Sequence, residues 1–190
     1  WAQAWQAAHD DVDTGFGDVL ELPSGLLHLD APVNISKTVD IRGQGRDGTL
    51  IALMNDDARL RLNVGGSKTF GQDVRGLTFS ALTDRAAGCA LEVGNVGGAF
   101  LDVRVSNGLG GRPYDGVVVR QATQTRMQLE SSGHARHGLS FVLTLAEDHI
   151  IQCYVIDGSE FNGNGGDGIY CHASNIGPTN LIEGLQIGSV

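Results

Sequence analysis

The stretch GNGGDGIYCH, residues 163–172, decides how the whole chain is read. Gly, Asn and Asp crowd its first half, and an apolar segment follows. Phosphate loops, calcium loops and plain turns all share that composition. Recurrence separates them, and the same corner returns along the chain. Gly88 opens CALEV, Gly116 opens VVVRQ, Gly138 opens LSFVL and Gly168 opens IYCHA. Apolar residues occupy the first and third positions after each glycine: Cys89 and Leu91, Val117 and Val119, Leu139 and Phe141, Ile169 and Cys171. Such alternation marks a strand with one buried face.

A second series runs in phase with the first. LTFSA starts at Leu77, VRVSN at Val103, MQLES at Met127, CYVID at Cys153 and LQIGS at Leu185, so successive starts lie 26, 24, 26 and 32 residues apart. A near-constant step of about 25 residues with short strands in each step predicts the rungs of a parallel β-solenoid. A β-sandwich also places strands at short intervals, but rarely keeps two strand series in register. The longer last step points to an insertion in DGSEFNGNGGDG. The corner at Gly168 is therefore structural, and the enlarged turn before it, from Gly158 to Asp167, is where function is expected.

Composition agrees. The chain has 190 residues, enough for one domain with a core, and its 28 glycines against four prolines suit many turns without a collagen-like repeat. A formal charge of −9 argues against a nucleic-acid partner, which requires a basic face. No apolar run is long enough to span a bilayer, and no signal peptide is visible. Cys89, Cys153 and Cys171 make an odd set without CxxC spacing; they read as buried free thiols, with a Cys153–Cys171 bridge open to an extracellular chain.

The chain starts with WAQAWQAAHDD, which places Trp1, Ala4, Trp5 and Ala8 on one helical face. A capping helix over residues 1–13 is expected there, followed by β-helical rungs over residues 18–190. The helix, then GDVLELPSGLLHLDAPVNISKTVDIRGQG and TLIAL, resembles the N-terminal cap and first rung of the pectate-lyase-like right-handed parallel β-helices. NGGDGIYCH is similar to a rung corner of the same superfamily, which includes pectin-degrading enzymes, polysaccharide epimerases and bacteriophage tailspikes. The resemblance implies an all-β fold, a right-handed parallel β-helix with a short N-terminal α-helix. It implies a polysaccharide partner, an extracellular or virion location and, by analogy with tailspikes, a homotrimer. The paired-aspartate and His-Gly motifs of polygalacturonase-type hydrolases are absent. So are the Asp-Pro-His pattern of alginate epimerases and the Trp-Ile-Asp-His-type stretch of pectate lyases. LQIGSV reads as a strand without a cap, so further rungs are expected beyond it.

Cleavage of sugars by acid–base chemistry requires paired carboxylates. Candidates are Glu147 and Asp148 in AEDHI, and Asp157, Glu160 and Asp167 in the insertion; GHARHG adds His134, Arg136 and His137. The expected outward columns are Ala90, Val118, Ser140 and Tyr170; Glu92, Arg120, Val142 and His172; and Thr78, Arg104, Gln128, Tyr154 and Gln186. From these, Arg104, Gln128, Tyr154, Tyr170 and His172 are candidate carbohydrate contacts, since rings stack on sugar faces while amides and guanidinium groups bind hydroxyls. An ordinary polar sheet face is the plainer account of the same residues. Ala81, Asn107, Ser131, Asp157 and Ser189 fall at a corner position where small polar residues bond the backbone.

No cofactor is required by this chemistry. Asp157, Glu160, Asn162, Asn164 and Asp167 offer oxygen donors to calcium, though without EF-hand spacing, and His134 with His137 is a weak zinc pair. Three functions remain open: a carbohydrate-active or carbohydrate-binding β-helix acting as a lyase or hydrolase, a non-enzymatic fibre, spike or adhesion module, and an intracellular scaffold.

Overall fold

Every pairing between the chain's named strands is parallel. This follows from a chain that makes one short circuit per rung and lays each strand on its equivalent one circuit earlier. The computed structural model describes residues 1–12, 18–143, 150–156, 158–173, 181–182 and 184–188. They form a parallel β-solenoid of about five turns with one short N-terminal helix.

The first rung holds β1 (Val19–Glu21), β2 (Gly25–Leu29) and β3 (Val33–Ile35). The second holds β4 (Asp40–Arg42), β5 (Thr49–Leu53) and β6 (Leu60–Leu62). The third holds β7 (Thr69–Phe70), β8 (Asp73–Ala81) and β9 (Cys89–Val93). The fourth holds β10 (Val96–Gly97), β11 (Phe100–Ser106) and β12 (Asp115–Val119). Then come β13 (Ala122–Ser131) with β14 (Leu139–Leu143), and β15 (Ile150–Val155) with β16 (Ile169–Ala173). The short β17 (Leu181–Ile182) and β18 (Gln186–Ile187) pair with β15. A six-stranded sheet runs β3-β6-β9-β12-β14-β16, and the other strands form a branched twelve-stranded sheet.

The core is a set of apolar ladders along the solenoid axis. Val33, Leu60, Leu91, Val117 and Leu139 pair in succession and are fully buried, and Ile169 continues the ladder half-buried. Each such side chain contributes roughly 1.5–3 kcal/mol of transfer free energy. All the inward residues of the glycine-led series from Cys89 to Phe141 are buried as expected, whereas Cys171 keeps the register but is exposed on the edge strand β16.

The corner glycines have two different causes. Gly88 has φ +79°, a left-handed conformation that favours glycine. Gly116, Gly138 and Gly168 instead form a column in which successive rungs touch. A Cβ on Gly116 would collide with the carbonyl oxygen of Gly138, and one on Gly138 would lie 2.8 Å from that of Gly168.

Helix α1 (Ala2–Asp11) covers the open end of the six-stranded sheet, with a face that shares only Trp5 with the expected one. Ala2, Trp5 and His9 are buried, while Trp1, Ala4 and Ala8 are exposed. The reason is the unpaired edge of β3, whose backbone groups need partners. Gln6 supplies them on both sides: its amide donates to the Asn34 carbonyl at 3.0 Å, and its carbonyl accepts from Asn34 N–H at 2.8 Å. His9 Nε2 accepts from the N–H groups of Ser36 and Lys37 at 3.1 and 3.3 Å. Lys37 Nζ closes the helix C-terminus by donating to the carbonyls of Asp10 and Val12. Trp1, Ala4 and Ala8 line an apolar cavity of about 130 Å³ with Leu20, Leu22 and Leu27.

All three cysteines are free thiols, so the Cys153–Cys171 bridge is not formed. Burial pushes the Cys89 and Cys153 thiols up to about 12. A thiol reagent is therefore expected to titrate only the exposed Cys171 in the folded protein and all three after unfolding. Two fast thiols in the native state would show that the ladder at Cys89 or Cys153 opens readily.

Candidate functional site

The outer face of the six-stranded sheet carries an unusual concentration of charge. In a half-exposed sheet, outward residues should be solvated. Here Glu92 is 4% exposed and Asp115 2% exposed, both at the floor of a groove of about 270 Å³. Buried carboxylates require partners, and arginines from four separate turns or strands supply them. Arg120 donates to Glu92 Oε1 at 2.5 Å and Arg61 to Oε2 at 3.0 Å, while Arg59 Nε lies 3.7 Å from Oε2. Arg136 grips Asp115 through two donors, and the His137 N–H adds a third at 3.2 Å. Burial pushes the Glu92 carboxyl up, but the hydrogen bond and charge of Arg120, with Arg61 and Arg59, hold it below the ordinary range.

A fifth arginine packs behind the groove. Arg85 is 3% exposed and donates to two carbonyl oxygens, those of Cys89 and Asp56, at 3.2 and 2.5 Å. Its Nε has no partner, and neither Arg59 Nε nor Ser140 Oγ makes a hydrogen bond. Desolvation lowers the Arg85 pKa. Four guanidinium groups thus surround two buried carboxylates, with a fifth behind them, in a chain of net charge −9.

Aromatic rings extend the groove along the solenoid. Arg136 lies over the Tyr114 ring at 4.8 Å. His137 stacks on Tyr170 with ring centroids 4.3 Å apart and planes 1° from parallel, and Tyr170 stacks less closely on His172 at 6.0 Å. The register carries the groove into these rings: Arg61, Glu92, Val118, Ser140 and Tyr170 pair in succession. The expected column had Ala90 in place of Glu92. β9 is slipped by two residues, with Asp115 paired to Cys89, and this brings Glu92 beside Val118. Tyr170 and His172, both expected to contact carbohydrate, sit on this face, half-buried.

The other three expected carbohydrate contacts, Arg104, Gln128 and Tyr154, lie on the twelve-stranded sheet but not in one column. Arg104 pairs with Thr78 and Glu130, Gln128 with Asp102, and Tyr154 with Arg126 and Gln186. The register irregularity between Ala122 and Thr125, where Gln124 has φ +52°, accompanies the departure between β13 and β15. Arg104 is engaged by Glu130 at 2.8 Å and Asp47 at 2.5 Å. Arg46, from the Gly-rich turn before β5, reaches Asp102 and the Gln128 carbonyl.

Among the expected catalytic carboxylates, Glu147, Asp148 and Asp157 lie outside the described residues. Glu160 bridges Glu130 on the twelve-stranded sheet. Asp167 sits before β16, where its N–H donates to His137 Nδ1 at 3.0 Å and its carboxylate lies 3.5 Å from the same nitrogen. The two therefore serve different sheets. Within the insertion, Asn164 accepts from the His134 N–H at 3.1 Å and donates to the Ser131 carbonyl, so it ties two rungs together. Among the described residues no three His, Cys, Asp or Glu gather as a metal site requires.

No family model, curated protein or solved structure matches this chain. Arg59, Tyr114 and Asp115 complete a groove of which the sequence had indicated Glu92, Arg120 and Arg136, and Arg61 and Arg85 support it from beside and behind. The signal that could have found Arg59 and Arg61 is their alternation with the inward Leu60 and Leu62.

Proposed function

We propose that this chain is a carbohydrate-binding β-solenoid that holds a bacterial surface or extracellular polysaccharide along the outer face of its six-stranded sheet. The observation that carries this reading is the continuity of the arginine groove with the stacked rings of His137, Tyr170 and His172. Guanidinium groups bind sugar oxygens in a fixed fork, and flat rings offer sugar faces a stacking surface. Neighbouring rungs repeat at about 4.8 Å, so a linear polymer lying along the axis meets successive polar and aromatic positions. An extracellular or virion setting, as in tailspikes, accords with such a ligand.

Binding is favoured over cleavage at this groove. An acid that protonates a glycosidic oxygen must retain its proton near neutral pH, and Glu92 is held ionised. A lyase or hydrolase activity would draw instead on Glu147, Asp148, Asp157, Glu160 and Asp167. The second reading, a rigid fibre or adhesion module, draws on the twelve-stranded sheet, where Arg46, Asp102, Glu130, Arg104 and Asp47 satisfy one another.

The test is incubation with a panel of bacterial capsular polysaccharides and exopolysaccharides, following retention in affinity electrophoresis, new reducing ends and the ultraviolet absorbance of unsaturated products. Retention without new ends is the expected result. New reducing ends with the absorbance would make the chain a lyase, and reducing ends alone a hydrolase. No retention of any polymer by a folded chain would favour the structural module.

A further inference from the structure

We infer that the groove selects a glycan bearing an anionic substituent, a carboxylate or a sulfate, which sits between Arg59, Arg120 and Arg136 above the Gly88–Cys89 corner. This rests on the reading that the same face holds a polysaccharide. Arg59, Arg61 and Arg120 meet Glu92, and Arg136 meets Asp115, at the groove floor, while Arg85 meets only the carbonyl oxygens of Cys89 and Asp56. Asp56 and Asp57, exposed on the preceding turn, bring the carboxylates to four, still fewer than the five arginines. The whole chain has nine more acidic than basic residues, so a local excess of cations runs against its composition.

The buried Nε–H groups of Arg59 and Arg85 make no hydrogen bond, although that of Arg59 lies 3.7 Å from Glu92 Oε2. Arg85 is 3% exposed. A buried cation satisfied only by backbone carbonyls is costly, and an anion in the groove would offset that cost. Glycine at position 88 permits a close approach: a Cβ there would lie 2.5 Å from the Asp56 carbonyl oxygen, 2.8 Å from Arg85 Nη2 and 3.5 Å from Arg59 Nη1. The two guanidinium groups therefore flank one point at the groove wall. Arg120 and Arg136 retain partly exposed side chains, 37% and 45%, while bound to their carboxylates, which leaves donors facing the groove. A planar carboxylate or a sulfate matches such forks, whereas a neutral hydroxyl would use them poorly. Tyr170, two strands from Val118, then lies about 10 Å along the axis, within reach of the adjoining sugars.

The experiment measures binding of the whole chain to a uronate oligosaccharide, a sulfated oligosaccharide, neutral dextran and inorganic sulfate by calorimetry, for the natural sequence and Arg59→Gln. Arg59 is chosen because Glu92 keeps Arg61 and Arg120 when it is replaced. One or both acidic oligosaccharides should bind in preference to dextran, the stronger of them naming the substituent. Arg59→Gln should weaken that binding roughly ten-fold, and rising salt should weaken it further. Arg59→Lys, which keeps the charge, should recover part of the loss, and unchanged circular dichroism of both variants excludes a folding defect. Dextran binding as tightly as the acidic sugars, with Arg59→Gln silent, would overturn the anionic subsite and leave the polysaccharide reading standing. Inorganic sulfate binding as tightly as the oligosaccharides, and lost in Arg59→Gln, would overturn the glycan instead. If no ligand binds, both readings fall.

Discussion

Replacing Glu92 by glutamine is expected to lower the unfolding free energy by about 3–5 kcal/mol, the usual cost of removing one partner from a buried ion pair. The side chain is nearly isosteric, so the loss would report charge rather than volume. Glu92 is 4% exposed and accepts from Arg120 and Arg61, with Arg59 beside it. Without the carboxylate, three guanidinium groups face one another across a buried floor, and Arg85 lies close behind. Arg120→Gln is the matched control. It should cost much less, since Glu92 keeps two arginines and the Arg120 side chain is already 37% exposed. Urea unfolding of the three proteins measures both differences. If Glu92→Gln and Arg120→Gln prove equally mild, within about 1 kcal/mol of the natural chain, the network is a solvated surface cluster. The arginine groove would then lose its structural basis as well.

The parallel solenoid could be read from the sequence because its signal is redundant: every rung repeats an alternating strand and a corner. Alternation has one blind spot. A slip of one residue turns a strand inside out, whereas a slip of two leaves every inward residue inward. All three displaced pairings are slips of two. β9 sits two residues from its expected place against β12, and β13 two residues from its place against both β11 and β15. Leu91, Val117, Met127 and Leu129 are buried under either register, so the core was legible while the outer columns were not. That matters for function, because Glu92 enters the groove column only through the slip. The helix shows a different limit. Its apolar spacing suggested a Trp1–Ala4–Trp5–Ala8 face, but the open edge of β3 demanded polar partners, and Gln6 with His9 won that competition. Arg85 was invisible for a related reason. Its role depends on the turn that folds it beneath Gly88, and no local pattern announces that.

Acid should destabilise the protein well before its carboxylates titrate, through His134. This ring is 1% exposed, its Nε2 lies 2.8 Å from Ser131 Oγ, and its Nδ1 has no partner. Ser131 Oγ also donates to the Gly138 carbonyl at 2.8 Å, which leaves the oxygen to accept from Nε2–H and fixes Nδ1 as the bare nitrogen. Protonating Nδ1 would place a charge in a site with no acceptor. Burial therefore pushes the His134 pKa down to about 4 from an ordinary 6.5, with Asp115 only partly opposing it. The unfolded chain binds the proton below pH 6.5 and the folded chain does not, so stability is full above that value and declines as pH falls towards about 4. The size of the loss is roughly 3 kcal/mol, from about 1.4 kcal/mol per pH unit over that window. Glu92 acts in a separate window: its pKa is depressed from 4.5, so its contribution fades only below that pH. His134→Gln should be less stable at neutral pH but should lose less on acidification. The difference between the two urea-unfolding profiles, taken from pH 7 to pH 4, isolates the histidine from the other titrating groups. Parallel profiles would mean that His134 is protonated in the fold at no cost. The stacked turn of Ser131, His134 and Asn164 would then have to open to water to admit the proton.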